Sequence, residues 1–407
     1  MTRLAEEHKA VNLSQGIPNE GPSWTLRMAL ARGVLTGQPW KGETFELSDD
    51  SLKKSIIEMI QNGEAPTSGG DKLNQYSPPM GRSDLRLAIS NYYHRFYEYV
   101  ISPDDITVTL GATEAFSSAL RAVGSPGDRV VIIQPFHELY PNQCKIFYLE
   151  PIYVSLIVSD DKWVLDMKEM EEALIDAKIL MLNSPHNPTG KVFTREELRQ
   201  IVDLCLKHDV YIITDEIYEH MCYGDNTHHL IPKEFPEISE RTLVCNSLGK
   251  SASATGWRLG WCLHPRHIRD TYRGIHDQMT VMSPHPQQYA TLTYFAQPDQ
   301  YFANIGERYK ARVEKLVASL KSAGFHIVQP QGAYYLFAGY SNVEMLKDMD
   351  STEAAMFLLK TIGVASVPGD NFYGTEVCDA NRKYLRFAAC QMEQTLEEAG
   401  LRLQKLT

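Results

Sequence analysis

The stretch Val210-Tyr211-Ile212-Ile213-Thr214-Asp215 decides the fold class of this chain. Its uninterrupted apolar and β-branched run predicts a strand that is buried on both faces of a sheet. Similar short runs lie at residues 106–110, 130–134, 179–182 and 242–245, and amphipathic stretches such as residues 195–208 separate them. This alternation predicts an α/β domain in which helices cover both faces of a parallel sheet.

The length of the chain and a break in its pattern near residue 298 predict more than one domain. A chain of 407 residues exceeds the size at which one hydrophobic core usually stops growing. After Gln297-Pro298-Asp299, residues 301–323 predict one long amphipathic helix that leads into a mixed region of strands and helices. Residues 35–75 are rich in Gly, Pro, Ser and acidic residues around one helical stretch at 50–60, and they predict a loop-rich insertion.

The composition excludes several classes of protein. Lys and Arg number 40 and Asp and Glu number 51, so the formal charge of -11 has the wrong sign for binding nucleic acid or anionic lipid. The N-terminus has no apolar core of a signal peptide, and no stretch approaches the ~20 apolar residues of a membrane span. We therefore expect a cytoplasmic protein without nucleic-acid or membrane partners. The seven cysteines include no C-x-x-C pair, and we expect reduced thiols and no metal site.

A lysine lies among small residues directly after the run at 242–245, in Ser247-Leu248-Gly249-Lys250-Ser251-Ala252-Ser253-Ala254-Thr255-Gly256-Trp257-Arg258. A neutral lysine amine can attack a carbonyl and hold a cofactor as a Schiff base. Taken alone, Lys250 is better explained as a lysine at the rim of a loop. Asp215 changes that balance, because a carboxylate at the end of a buried strand requires a partner, and the protonated ring nitrogen of pyridoxal phosphate is one. Tyr218, three residues on, could bind the ring hydroxyl oxygen.

Phosphate requires an anion site, and Gly111-Ala112-Thr113 offers one between the run at 106–110 and a helical stretch at 114–123. Backbone amides and the helix dipole at such a turn point at a ligand. Ser247 and Arg258 can add a hydroxyl and a guanidinium. A further strand is followed by residues 183–190, where two prolines and a glycine predict a rigid turn that holds the Asn187 amide.

A P-loop nucleotidase is a rival interpretation, because an Asp-Glu pair after a strand and a Gly-Lys-Ser tripeptide also occur in P-loop proteins. The spacing excludes it, since the position five residues before Gly249 is Val244 rather than the glycine that a P-loop requires.

With these motifs in order, the chain resembles fold-type I, pyridoxal-phosphate-dependent aminotransferases of class I/II, and within them the kynurenine and glutamine transaminase group. The resemblance extends from Leu13 to about Leu403, and its most specific parts are residues 183–190, 214–218 and 247–261. It implies an α/β fold with a large domain, whose mixed, mostly parallel seven-stranded sheet is sandwiched by helices, and a smaller α+β domain. The implied division is an N-terminal arm at 1–35 that joins the small domain, a large cofactor domain at 36–298 and a small domain at 299–407.

The resemblance also implies roles for the cofactor residues. Lys250 would bond pyridoxal 5'-phosphate as a Schiff base, Asp215 would pair with its pyridine nitrogen, and Asn187 and Tyr218 would bind its ring oxygen. Phe136 would stack on the ring. The phosphate cradle would comprise Gly111, Ala112, Thr113, Ser247 and Arg258.

Substrate and subunit contacts are implied in the same way. Arg386 would hold the substrate α-carboxylate with help from Asn187 and the backbone at Gly16, and Trp24 would lie near the substrate. Tyr76 resembles a tyrosine that is lent to the phosphate of a neighbouring subunit. A homodimer with shared active sites is therefore implied.

Three hypotheses about function follow. The first is an aminotransferase that moves an amino group from a neutral or aromatic L-amino acid to a 2-oxo acid, suggested by the aromatic residues Trp24, Phe136, Tyr140 and Phe372 and by the lack of an evident second arginine. The second keeps the cofactor but catalyses β-elimination, decarboxylation, cyclisation or oxidation. The third is a non-catalytic ligand-sensing module, which the presence of both Lys250 and Asp215 disfavours.

Overall fold

A computed structural model describes residues 1–38, 54, 57, 61, 71–374 and 383–407. These residues form two compact units. The first unit comprises Met1–Asn19, Gly124–His229 and Ala303–Thr407, and the second comprises Glu20–Val123 and Leu230–Phe302. Most of the predicted insertion at 35–75, with its helical stretch at 50–60, lies outside the described residues. The division at residues 35 and 298 stays a prediction.

The strands of the described residues are numbered in chain order. They are β1 (Val11–Asn12), β2 (Ile106–Thr109), β3 (Arg129–Gln134), β4 (Glu150–Ser159), β5 (Lys162–Leu165), β6 (Ala177–Asn183), β7 (Tyr211–Asp215), β8 (Thr242–Ser247), β9 (Gly260–Leu263), β10 (Tyr335–Gly339), β11 (Val364–Ala365), β12 (Val367–Pro368) and β13 (Tyr384–Ala388). All five apolar runs of the sequence lie in strands, as predicted.

The helices follow the same order. They are α1 (Thr2–Glu7), α2 (Trp24–Thr36), α3 (Ser83–Tyr97), α4 (Gly111–Val123), α5 (Leu139–Ile146), α6 (Met167–Leu174), α7 (Arg195–Lys207), α8 (Ile231–Glu234), α9 (Leu248–Ser251), α10 (Arg269–Thr280), α11 (His285–Phe295), α12 (Asp299–Ser322), α13 (Ser351–Phe357) and α14 (Glu393–Leu403). None of the described helices has both the length and the apolar character that crossing a membrane requires.

The large sheet confirms the α/β fold class, although its described strands number eight rather than seven. In the first unit its strands follow the order β7-β6-β3-β4-β5. The pairs β7 with β6, β6 with β3 and β3 with β4 are parallel, and β5 returns antiparallel beside β4. In the second unit the order is β2-β9-β8, with both pairs antiparallel.

Local sequence explains the elements that support the ends of the parallel strands. Strands β6 and β7 consist almost entirely of buried residues, as expected for strands covered on both faces. Helix α7 begins with a capping box, in which Thr194 and Glu197 each bind the other's backbone amide, and only one face of the helix is buried. The predicted crossover helix at residues 195–208 is therefore confirmed.

A smaller sheet and a strand pair complete the first unit. The smaller sheet has the order β10-β13-β12, with antiparallel neighbours, and β13 carries Arg386 opposite Phe337 of β10. The pair β1 and β11 is parallel and joins Val11 to Val364 in register.

Candidate active site

In the first unit, the carboxyl ends of β6 and β7 lie side by side. Asn183 and Asp215 are paired in register at these ends. The Asn183 side-chain amide donates to the Asp215 carbonyl oxygen at 2.9 Å, and its Oδ1 accepts from the Asn187 backbone amide at 2.7 Å. Asn183 thus connects the end of the strand pair to the turn at residues 183–190, a role that its place in the motif does not reveal.

The carboxylate of Asp215 is buried and held by two donors. The Tyr140 hydroxyl donates to Oδ2 at 2.6 Å, and the Ile217 backbone amide donates to Oδ1 at 3.3 Å. Hydrogen bonds to a carboxylate favour its charged form. The structure thus places a buried and hydrogen-bonded carboxyl group at the end of a strand, which is the position that the sequence predicts for Asp215.

Tyr218 lies in the same unit among other tyrosines. Its hydroxyl donates to the Tyr335 hydroxyl at 3.3 Å, and its ring meets the rings of Tyr334 and Tyr335 edge to face. Burial raises the pKa of Tyr218 well above its ordinary value, and the neighbouring Tyr335 and Asp215 raise it further. The phenol therefore stays protonated near neutral pH and can donate a hydrogen bond.

Nδ2 of Asn187 and Nε of Arg386 are among the buried side-chain donors of this unit that have no hydrogen-bond partner among the described residues. The side chains meet each other, because Arg386 Nη1 donates to Asn187 Oδ1 at 3.3 Å. Buried polar atoms are nearly always paired, so these two donors, which lie on side chains in contact with each other, are available to a ligand. Asn187 and Arg386 fit acceptor oxygens of a bound molecule.

The guanidinium of Arg386 is fixed by surrounding groups. Nη2 donates to the Ser14 carbonyl oxygen at 3.1 Å, and the group lies 4.6 Å from the centre of the Tyr335 ring and 4.8 Å from that of Phe372. Gly16 belongs to the same neighbourhood, since its carbonyl oxygen accepts from Tyr334 at 3.1 Å. A Cβ at Gly16 would lie 1.7 Å from the Tyr335 hydroxyl, so only glycine fits there. These contacts bring together Arg386, Asn187 and Gly16, the residues predicted for the substrate carboxylate.

Phe136 is packed within the first unit. Its ring stacks on Tyr153 with centroids 5.3 Å apart, and its backbone amide donates to the Phe372 carbonyl oxygen at 2.8 Å. The next residue, His137, has its ring 5.7 Å from the ring of Tyr140, which holds Asp215. His137 is thus a second aromatic candidate for contact with a ligand ring, and the sequence motif does not single it out.

Glu216, Glu219 and His228 form a buried group with ligand atoms within 4.8 Å of one another, a spacing that could suit a metal ion. Thr214 donates to Glu216 Oε1 at 2.9 Å, and His228 Nε2 lies 3.2 Å from Glu216 Oε2. Burial lowers the pKa of His228, but the charge and hydrogen bond of Glu216 outweigh it and raise that pKa above its ordinary value. Thr214, Glu216 and His228 thus form a buried hydrogen-bonded network in the first unit.

In the second unit, the residues that are predicted to bind an anion lie at the start of α4. Gly111, Ala112 and Thr113 are the first residues of the helix, rather than a turn that precedes it as the sequence predicts. The Leu110 amide donates to Glu114 Oε2 at 3.1 Å, so the glutamate stabilises this earlier start. The first amides of a helix have no partner within it and can bind an anion.

Arg258 lies against that turn. Its Nη2 is 3.5 Å from the Thr113 hydroxyl, and its Nη1 donates to the Thr255 carbonyl oxygen at 3.2 Å. Gly111 has a φ of 75°, and a Cβ there would lie 2.7 Å from Arg258 Nη2. The glycine is thus required both for the backbone conformation and for the approach of the guanidinium.

Lys250 lies in the short helix α9 of the same unit. Ser247 ends the buried strand β8, and its hydroxyl oxygen accepts from the Gly249 amide at 3.3 Å. Ser251, next to Lys250, is held by the Tyr294 hydroxyl at 2.8 Å. The lysine is therefore carried on a backbone that is fixed on both sides, and its side chain is half-buried.

Tyr76 and Trp24 are also in the second unit. Tyr76 is 79% exposed, and Trp24, the first residue of α2, is 49% exposed. An exposed tyrosine is available to a second subunit, as the prediction for Tyr76 requires. The role of Trp24 stays a prediction.

Comparisons with known proteins agree with this chemistry. The family model described as aminotransferase class I and II matches residues 45–401. The chain is similar to kynurenine–oxoglutarate transaminase 3 of Bos taurus, with 30% identity over 98% of this chain and 85% of that protein. It is also similar to kynurenine–oxoglutarate transaminase 1 of Homo sapiens, with 30% identity over 99% of this chain and 94% of that protein.

Solved structures give the same result and confirm the fold type. N-succinyldiaminopimelate aminotransferase of Mycobacterium tuberculosis is similar with a TM-score of 0.86 and 28% identity, over 100% of this chain and 96% of that one. YbdL of Escherichia coli, whose structure is reported with a methionine aminotransferase function, has a TM-score of 0.84 and 27% identity, over 99% of this chain and 95% of that one.

Proposed function

Because the chain belongs to the class I and II aminotransferase family, we propose that it transfers an amino group from a neutral or aromatic L-amino acid to a 2-oxo acid with pyridoxal 5'-phosphate bound at Lys250. Transfer of an amino group between an amino acid and a 2-oxo acid is the activity of the family to which the chain belongs. The residue roles, the substrate class and the subunit arrangement are the content of the proposal.

The observation that carries the proposal is the buried Asp215 carboxylate with its donors Tyr140 and Ile217. A buried carboxylate at this position can pair with the protonated pyridine nitrogen of the cofactor, which is a chemically matched cation. Asn187 Nδ2, which has no partner among the described residues, and the Tyr218 phenol would donate to the ring oxygen. Phe136 or His137 would contact the ring face.

We assign the phosphate end of the cofactor to groups of the second unit. The amides of Gly111, Ala112 and Thr113, together with the Ser247 hydroxyl and the Arg258 guanidinium, supply donors for a phosphate dianion. Lys250 supplies the amine that bonds the aldehyde carbon. The cradle at Gly111, which a Cβ would fill, supports an anion there.

Bound pyridoxal phosphate supplies a conjugated ring that withdraws electrons from the bonds at the substrate Cα. The Arg386 guanidinium would hold the α-carboxylate with two parallel hydrogen bonds and fix the orientation of the Cα–H bond. Lys250 Nζ would take the proton from Cα, hold it and return it at the cofactor carbon. Asp215 would keep the proton on the ring nitrogen throughout.

Aromatic side chains around Arg386 support a neutral or aromatic substrate. Tyr335 and Phe372 flank its guanidinium, and Phe337 packs against Phe372 with ring centres 5.6 Å apart. The transaminases named after kynurenine share 30% identity with this chain. Kynurenine as donor and 2-oxoglutarate as acceptor are therefore the first pair to test.

We assign Tyr76 to the phosphate of a partner subunit, so the functional form would be a homodimer. The high exposure of Tyr76 supports this assignment. Sedimentation of the purified protein would give its mass in solution, and a monomer with full activity would contradict the shared site.

The test of the proposed activity is a single turnover without an acceptor. Cofactor-loaded enzyme is mixed with an excess of kynurenine, phenylalanine, methionine, glutamine or aspartate, and the 2-oxo acid and ammonia are measured. Transamination releases about one equivalent of 2-oxo acid per site and no ammonia, and a subsequent 2-oxo acid restores turnover. Continued release of ammonia would instead indicate β-elimination or oxidation. A preference for aspartate would overturn the proposed substrate class.

A further inference from the structure

His276 is a fully buried histidine whose two ring nitrogens both face acceptors. Nδ1 lies 3.0 Å from Oε1 of Glu114, and Nε2 lies 2.8 Å from the Pro79 carbonyl oxygen. A neutral imidazole has only one N–H, so it could satisfy only one of these acceptors. The imidazolium form donates from both nitrogens and satisfies both acceptors, with the Glu114 carboxylate as its counter-ion.

The Glu114 carboxylate also controls the start of the anion turn. It accepts from the Leu110 backbone amide at 3.1 Å and from the Ser118 hydroxyl. Leu110 is the residue directly before Gly111, the first residue of the proposed phosphate cradle. His276 thus acts on the cradle through Glu114.

The second contact of His276 acts on residues 75–79, the segment that carries Tyr76. A second histidine holds the other end of this segment, because His285 Nδ1 lies 2.9 Å from the Gln75 carbonyl oxygen and His285 Nε2 lies 2.9 Å from Arg82 Nη1. A guanidinium can only donate, so Nε2 accepts and His285 is neutral with its proton on Nδ1. The segment is therefore held between one charged and one neutral histidine.

We propose that Glu114, His276 and His285 are positioning residues that fix the cradle of the cofactor phosphate and the Tyr76 segment together. The inference rests on the proposed function, since it assigns these residues to the phosphate of the cofactor. Because the His276 imidazolium contacts both segments, the phosphate turn of a subunit and the Tyr76 segment that reaches its partner should move together.

The electrostatic surroundings give the two histidines opposite responses to pH. Burial lowers the pKa of His276, but Glu114, the Pro79 carbonyl and Asp277 raise it to a net value above the ordinary one. Burial lowers the pKa of His285, Arg82 lowers it further, and the opposing effects of the Gln75 carbonyl and Asp84 are smaller together.

The sign of each contribution follows from these shifts. The stabilisation of the segment by His276 is complete below the ordinary pKa of histidine, and it is lost as the pH rises through the raised pKa of His276. The contribution of His285 is complete above its ordinary pKa and is lost as the pH falls below that value. The segment is thus held best near neutral pH, and the phosphate contacts weaken on either side.

The experiment measures the rate at which the holoenzyme releases pyridoxal phosphate from mildly acidic to alkaline pH. His276→Gln should release it about tenfold faster at neutral pH, as expected for a lost charged hydrogen bond of ~1.4 kcal/mol, and should lose the alkaline rise in rate that we expect in the parent. His285→Gln should lose the acidic rise. The matched control is His264→Gln, because His264 is another buried histidine of the second unit, bonded to Thr107 at 2.9 Å.

Two further measurements separate positioning from general destabilisation. Pyridoxal without its phosphate should bind equally to the parent and to His276→Gln. In a double-mutant cycle, Tyr76→Phe and His276→Gln should be less than additive, because both act on one phosphate contact. If the release profile of His276→Gln matches that of His264→Gln, the inference is wrong.

A spectroscopic measurement keeps the inference testable if the variants do not fold. Nitrogen NMR of the ligand-free parent should show both ring nitrogens of His276 protonated near neutral pH, and only Nδ1 of His285 protonated. A neutral His276 would overturn the inference. If the parent fails to bind pyridoxal phosphate at all, the proposed function fails instead, so the two failures are distinct.

Discussion

The Tyr140 hydroxyl donates to Oδ2 of Asp215 over 2.6 Å, at the carboxyl end of the buried strand β7. The contact fixes the rotamer of the carboxylate and favours its charge. Tyr140→Phe removes this donor while it keeps the ring, so pairing with a cationic ring nitrogen should weaken. The loss of a hydrogen bond to a charged group costs ~1.5–3 kcal/mol, and kcat should fall by roughly 10- to 100-fold.

Steady-state kinetics of the cofactor-saturated enzyme check this prediction. Tyr153→Phe is the matched control, since Tyr153 stacks on Phe136 in the same unit. An unchanged kcat in Tyr140→Phe would mean that Asp215 does not need the hydrogen bond from Tyr140 to pair with the ring nitrogen.

Gly111→Ala tests the anion cradle. The substitution places a Cβ 2.7 Å from Arg258 Nη2, at a φ of 75°. The left-handed backbone alone costs ~1–2 kcal/mol for a residue with a Cβ. Gly224→Ala is the control, because Gly224 has a φ of 62° and nothing within 4 Å of its ideal Cβ.

Both variants should lose similar stability, but only Gly111→Ala should bind pyridoxal phosphate about tenfold more weakly, a cost of ~1.4 kcal/mol. Equilibrium binding of pyridoxal phosphate and of pyridoxal distinguishes the two effects. Equal losses for both ligands would argue against a phosphate site at Gly111.

Arg386→Lys tests recognition of the substrate carboxylate. Lysine keeps the charge but loses the planar fork that matches a carboxylate. We expect kcat/KM for the amino donor to fall by roughly 10- to 100-fold, from the loss of ~1.5–3 kcal/mol, with cofactor affinity unchanged. Arg402→Lys is the control and should leave kcat/KM unaltered. The Arg402 guanidinium binds Glu398 and the Lys9 carbonyl oxygen. A drop in cofactor affinity without a change in kcat/KM would reassign Arg386 to the cofactor.

Two buried neutral histidines make stability depend on pH. Burial lowers the pKa of His186 to about 3, with a further contribution from Lys191, and burial lowers that of His264 to about 3 with help from Arg273. Below about pH 6.5 the unfolded chain binds protons that the folded chain does not. Each histidine should therefore reduce the free energy of unfolding by ~1.4 kcal/mol per pH unit as the pH falls.

Urea unfolding of the ligand-free protein at successive pH values measures this slope. His264→Gln should remove the contribution of one histidine and flatten the profile below about pH 6.5. A profile parallel to that of the parent would show that His264 is protonated in the folded protein.

The sequence predicts the elements whose signal is local. The apolar runs of β3, β6 and β7 are long enough to identify buried strands, and an acidic residue directly after one of them identifies Asp215. The turn motif around Asn187 is recognisable in the same way. The absence of a hydrogen-bond partner for Asn187 Nδ2 among the described residues can be recognised only from the structure.

Contacts between distant segments could not be predicted from the sequence. Tyr140 and Asp215 are 75 positions apart, and Glu114 and His276 are 162 apart. Nothing in the composition of either segment specifies its partner. The early start of α4 could not be predicted for a related reason. Glycine is a poor helix former, and the Leu110 amide before it is held by Glu114. Strand β5 is only four residues long and alternates in burial, so its signal is weak.

The most direct test of the central claim is to trap the covalent bond to Lys250. Holoenzyme is treated with borohydride, which reduces the bond between an amine and the cofactor aldehyde to a stable secondary amine, and the peptides are analysed by mass spectrometry. We expect the cofactor mass on Lys250 alone, and none on Lys191, a buried lysine whose ammonium is paired with Glu197 at 2.7 Å. A label on another lysine, or no label in protein that retains aminotransferase activity, would contradict the account.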